Sequence, residues 1–195
     1  MRIVHCARIA SIVATLVGLA VTASSTQPAY AFDTKAYQAE YELTGGGQKQ
    51  IHRLSFDGKG HGRSEMISPS RHSISIIDLG NHQMKILDAN TKTVINMSLR
   101  SDNIDQLIGL GNKIDSTAMP LGVKVIDGHT CVGTHYKLDG GSEQDIWTGN
   151  DISGTRVYSK VFVPGFGVSE AHLKSYLSAP PSDDAFKVPA DYRVR

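Results

Sequence analysis

The chain has 195 residues, 40% hydrophobic and 20% charged, with a formal net charge of +1. No basic excess steers it to nucleic acid or to an anionic membrane surface. Its two cysteines are Cys6 and Cys131, and the leader described next removes the first, so no internal disulfide can hold the mature chain.

The N-terminus reads as an export signal. Arg2 and Arg8 form a positive start, Ile9 to Val21 is an apolar run, and Ala29-Tyr30-Ala31 supplies a small-x-small cleavage site before Phe32. The apolar run is shorter than the roughly 20 residues a membrane span needs. Residues 1–31 are therefore expected to be cleaved, and 32–195 to form one domain with its own core. No integral membrane segment is expected after cleavage. Removing Arg2 and Arg8 leaves 18 basic and 19 acidic residues, a net charge of −1.

Beyond Thr34 the apolar pattern has period two. Tyr37, Ala39, Tyr41 and Leu43 alternate with Gln38, Glu40 and Glu42, and Gly45-Gly46-Gly47 ends the run. Further strands are predicted at 50–56, 61–67, 73–79, 83–87 and 93–99, the first two joined at Asp57-Gly58. After an intervening segment, 123–126, 129–138, 143–148 and 155–163 continue the series, with Asp127-Gly128 and Asp139-Gly140 as turns. Strands about ten residues apart indicate an antiparallel meander.

Two stretches carry a helical spacing. Asp102 can cap one in which Ile104, Leu107 and Ile108 fall at i, i+3 and i+4. Ser169 can cap another in which Leu173, Tyr176 and Leu177 repeat that spacing, with Val168 and Leu173 as a hydrophobic staple.

The stretches "VIDGHTCVGTHYKL" (125–138), "IWTGND" (146–151), "FKVPADY" (186–192) and "LSFDGKGHGRSEM" (54–66) resemble an exported bacterial family of unknown function. That family is related in fold to the periplasmic lipoprotein carriers, the LolA/LolB-like group. The resemblance covers most of Tyr37 to Tyr192. It implies a mainly β, α+β fold: a strongly curved antiparallel sheet, an unclosed barrel, with two short helices over its concave face. The space between can hold acyl chains. The chain departs from the carriers in having no long helix pattern at its mature N-terminus, which leaves a general apolar-ligand role.

The apolar faces of the central strands would line such a space. Candidate ligand-binding residues are Ile74, Ile76, Met84, Ile86, Ile95, Met97 and Leu99, with Leu107 and Ile108 from the first helix and Trp147 from a later strand. Methionine adapts to an imprecise ligand such as an acyl chain. The same residues also suit a filled core.

Catalytic and metal signatures are weak. The run Gly58-Lys59-Gly60-His61-Gly62-Arg63 has glycines but strand-like flanks, so it reads as a hairpin turn rather than a phosphate cradle. There is no G-x-S-x-G, H-E-x-x-H or S-x-x-K pattern. His129, Cys131 and His135 alternate like ligands, yet on one strand the two histidines stand roughly 20 Å apart, beyond what one metal bridges. Cys131 is expected to be an inert buried thiol. No cofactor, metal or enzymatic activity is expected. The expected protein is a periplasmic monomer that binds an apolar small molecule, a lipid or a lipoprotein. The alternative is a fully packed interaction module of the cell envelope; a cysteine- or metal-dependent enzyme ranks third.

Overall fold

A computed structural model describes residues 35–99 and 118–195. The described residues form twelve strands in one open sheet. They are β1 (Tyr37–Gly45), β2 (Gln48–Phe56), β3 (His61–Ile67), β4 (His72–Asp78), β5 (Gln83–Asp88) and β6 (Thr93–Ser98). The second half holds β7 (Met119–Ile126), β8 (His129–Lys137), β9 (Glu143–Gly149), β10 (Thr155–Val163), β11 (Gly167–Leu177) and β12 (Arg193–Val194). The order across the sheet is β12-β6-β5-β4-β3-β2-β1-β11-β10-β9-β8-β7.

Each half is a meander, as the regular strand spacing predicts, and β1 and β11 join the halves. All pairings are antiparallel except that of β12 with β6. The hairpin at Asp127-Gly128 is tight: both residues have positive φ, 49° and 87°, a two-residue geometry that favours this dipeptide because its twist matches the flanking strands.

The segment read as the second helix is strand β11 instead. Its register steps from Glu40↔Ser175 to Tyr41↔Leu173, leaving Lys174 as the extra residue of a β-bulge. A bulge puts one added residue between two positions that share a face. Leu173 and Tyr176 thus stay together, with Tyr176 stacked on Tyr37 at 6.2 Å, although three residues separate them. That spacing imitates a helical stripe in the sequence. The expected staple is also absent, since Val168 is exposed. The first expected helix, with Leu107 and Ile108, and the export signal of residues 1–31 lie outside the described residues.

Cross-strand register assigns each side chain to one of two faces. Tyr37, Ala39 and Tyr41 of β1 oppose Phe56, Leu54 and His52 of β2. The same face continues through Gly62, Ser64 and Met66 of β3 to Ile77 and Ser75 of β4. Most of this Tyr41 face belongs to the larger core cluster, which holds Tyr37, Tyr41, Leu54, Phe56, Ile77, Met84 and Leu173. A smaller cluster on the reverse face holds Ile74, Ile76, Leu87 and Val94. No helix among the described residues is long and apolar enough to cross a membrane.

Candidate functional site

Four of the ten candidate ligand residues come together on the Tyr41 face. Met84 pairs with Met97 and Ile86 with Ile95 across β5 and β6, so their side chains form one apolar square. Met84 is buried, but Ile95 and Met97 keep 43% and 45% of their surface. A groove of about 360 Å3 runs along the same two strands, lined by Met84 and Met97 together with Gln83, Lys85, Asn96 and Ser98, which alternate onto the reverse face. Leu99, just past β6, is buried in the same cluster as Met84.

The remaining candidates are placed elsewhere. Ile74 and Ile76 alternate with Ile77 and fall on the reverse face. There Phe186, Val188 and Tyr192 of the C-terminal segment pack over them. Arg63 Nη1 donates to the Ala185 carbonyl at 3.1 Å, fixing that segment to β3, and Lys92 sits over the Tyr192 ring at 5.0 Å. Trp147 pairs with Tyr158, which pairs with His172, which pairs with Glu42. By register it is opposite to Tyr41, yet it belongs to the same buried cluster as Tyr41, Met84 and Leu99. Its indole crosses Gly133, where an added Cβ would meet ring carbons at 2.6 Å, and Lys124 Nζ lies 3.8 Å from the ring centroid.

A polar row crosses the Tyr41 face near its middle. Tyr41 pairs with His52, and His52 Nε2 lies 2.8 Å from Ser64 Oγ. From the far side the Arg156 guanidinium reaches over the Tyr41 ring, 5.1 Å from its centroid. Burial, and then the charge of Arg156, pushes the His52 imidazole down to about 4. Burial raises the Tyr37 and Tyr41 hydroxyls, against the opposing pull of Arg156. At neutral pH the row therefore holds one positive charge among uncharged neighbours.

Nothing in the sequence marks this row, because Arg156 gets there through a second bulge. β10 pairs Arg156 with Thr148 and Tyr158 with Trp147, leaving Val157 over. Period-two reading places Arg156 with Tyr158 and Lys160 on the reverse face. The bulge turns it to the Tyr41 face.

The histidines of β8 do not converge. His129 Nδ1 contacts Asp151 Oδ2 and His135 Nδ1 contacts Asp145 Oδ1, each at 2.7 Å. Cys131 between them is fully buried, and burial raises its thiol above the ordinary value. No group of three or more His, Cys, Asp or Glu able to hold a metal occurs among the described residues.

No family model and no curated protein sequence matches the chain. Solved structures do. An uncharacterized conserved protein of Thermus thermophilus superposes with a TM-score of 0.63 at 8% identity, over 83% of this chain and 90% of that one. MucB, in the MucA/MucB complex of Pseudomonas aeruginosa, superposes with a TM-score of 0.54 at 12% identity, over 83% of this chain. The chain spans 58% of the length of MucB. These likenesses show a shared fold. A LolA superfamily protein of Nitrosomonas europaea also matches, at a TM-score of 0.37 and 11% identity over 80% of this chain and 91% of that one.

Proposed function

We propose that this is an exported, non-enzymatic protein of the periplasm that binds an apolar ligand on the Tyr41 face of its sheet. The ligand class is a lipid, an acyl chain or a lipid-modified protein. One observation carries the reading: Met84, Ile86, Ile95 and Met97 form an apolar square on the Tyr41 face, yet two of the four stay more than 40% exposed. A square made only to fill a core leaves water excluded from all four. Methionine pairs suit a ligand of variable shape. The export pattern of residues 1–31 supports the compartment.

Native mass spectrometry of protein purified from a periplasm tests this. Bound lipid, released by denaturation, is the expected result. An apo mass, together with no uptake of a long-chain acyl probe, overturns it.

A second reading is an interaction module. Edge strand β7 leaves Val123 and Val125 at 68% and 69% exposure, a surface suited to a protein partner that adds a strand. That reading predicts no lipid uptake and no effect of Met97→Lys on function.

A further inference from the structure

We propose that Arg156 is the anchor for an oxyanion, so that the ligand is an anionic amphiphile whose carboxylate or phosphate meets the guanidinium while its chain lies along the apolar part of the Tyr41 face. This rests on the apolar-ligand reading above and names the ligand's polar end.

The first observation is the charge itself. Arg156 Nε is buried and donates to no atom among the described residues. None of the ion pairs formed by described residues includes Arg156. A guanidinium carries five donors in a planar fork that fits carboxylate and phosphate oxygens two at a time. The residue as a whole is half-buried, and a buried donor left without an acceptor is costly, so such positions are expected to meet a partner. The surrounding row does not neutralise it. Tyr41 lies under it and its uncharged hydroxyl accepts a hydrogen bond from the guanidinium without neutralising it, and His52 and Ser64 satisfy each other at 2.8 Å.

The second observation is that the backbone is deformed to put the group there. The Val157 bulge costs β10 a ladder position and brings Arg156 out of the row of its own strand. Bulges commonly re-aim one side chain at a site. Val157 is fully buried, and Gly149, which pairs with Thr155, leaves so little room that an added Cβ would meet Val157 at 3.1 Å and Ile152 at 2.8 Å.

The third is the path that leads away. From Tyr41 on β1 to Met84 on β5 is four strand spacings, roughly 19 Å, which suits a long acyl chain. Leu54, Phe56 and Ile77 lie on that face between them, all apolar and already covered, so the acyl chain takes the place of what packs on them.

The test uses the full mature chain with cis-parinaric acid, a fluorescent fatty acid, and its methyl ester, which keeps the chain and loses the charge. The wild type should bind the acid at least about tenfold more tightly than the ester, the size expected of one charge-assisted hydrogen bond. Arg156→Met should bring the acid down to the ester's affinity and leave the ester unchanged; Arg156→Lys should keep part of the preference. Displacement by palmitate or by hexadecyl phosphate then tells which oxyanion is preferred. Equal affinity for acid and ester in the wild type overturns the anchor and leaves the apolar-ligand reading standing. That is also the result if a carboxylate of the chain itself neutralises Arg156. Failure of both probes to bind overturns the two together. If Arg156→Met does not fold, the acid-to-ester ratio in the wild type and in Arg156→Lys decides.

Discussion

Arg156 and Tyr158 stand two positions apart in one strand, yet they occupy opposite faces of the sheet. Arg156 lies over Tyr41 at 5.1 Å, whereas Tyr158 Oη donates to Glu170 Oε1 at 2.9 Å on the other side. Burial, reinforced by Glu170, pushes the Tyr158 hydroxyl up to about 12. One added residue, Val157, separates the two environments.

That bulge depends on Gly149. Its φ of −84° is open to any residue, so Gly149→Ala carries no backbone strain and its cost is steric. The new methyl would press on Ile152 and Val157. Overpacking of this kind costs about 1–3 kcal/mol. Urea unfolding should show a lower midpoint, and anion-selective binding should weaken with it. An unchanged midpoint would mean that the bulge is not held from this side.

His52 makes stability depend on pH. Its folded-state value, about 4, lies below the unfolded value of 6.5. Between those limits the unfolded chain binds more protons, so stability falls as pH drops from 6.5 towards 4. The loss is on the order of 2 kcal/mol after allowing for partial solvent screening. His52→Gln should flatten that part of the urea midpoint against pH. A wild-type midpoint that is already flat from pH 6.5 to 4.5 contradicts the burial of the ring.

Cys131 should be silent in the folded protein. It is fully buried and its thiol is raised by burial, so the reactive thiolate is scarce and shielded. A disulfide reagent such as DTNB at pH 8 should leave the native protein unmodified and titrate one thiol of the mature chain in urea. Rapid reaction without denaturant would reopen a nucleophilic role.

The C-terminal segment should behave as part of the core. Phe186, Val188 and Tyr192 cover Ile74, Ile76, Leu87 and Val94, and truncation after Ser182 would bare that cluster. Burial at about 25 cal/mol per Å2 makes the loss several kcal/mol. The truncated protein should melt lower and bind the dye ANS. Normal melting would mean that the segment contributes little to the cluster.

Gly133→Ala gives an independent optical check. Its methyl would fall within 2.6 Å of the single tryptophan's ring, so Trp147 must shift. The emission maximum should move and stability drop by about 1–3 kcal/mol. An unaltered spectrum would place the indole elsewhere.

Strand identity was legible wherever alternation stayed local. Tyr37, Ala39 and Tyr41 announce β1, and Asp127-Gly128 announces the β7–β8 hairpin, because side-chain direction in a strand follows from the neighbouring residues alone. Within the candidate site, Met84, Ile86, Ile95 and Met97 were legible as apolar strand positions. Their meeting on one face follows from the short turn between β5 and β6. Ile74 and Ile76 read the same way, and only the packing of Phe186 and Tyr192 distinguishes them as covered core.

Bulges were decided by tertiary structure alone. Lys174 and Val157 are extra only relative to the strands beside them, Tyr41's β1 and Trp147's β9. A residue's surplus in a ladder is a property of two chain segments, and neither carries it separately. For that reason β11 resembled a helix in sequence, and Arg156 looked like an outward-facing surface residue. The sequence by itself determined a mainly β chain of short antiparallel strands; the pairing of distant strands decided that a single arginine enters the apolar face.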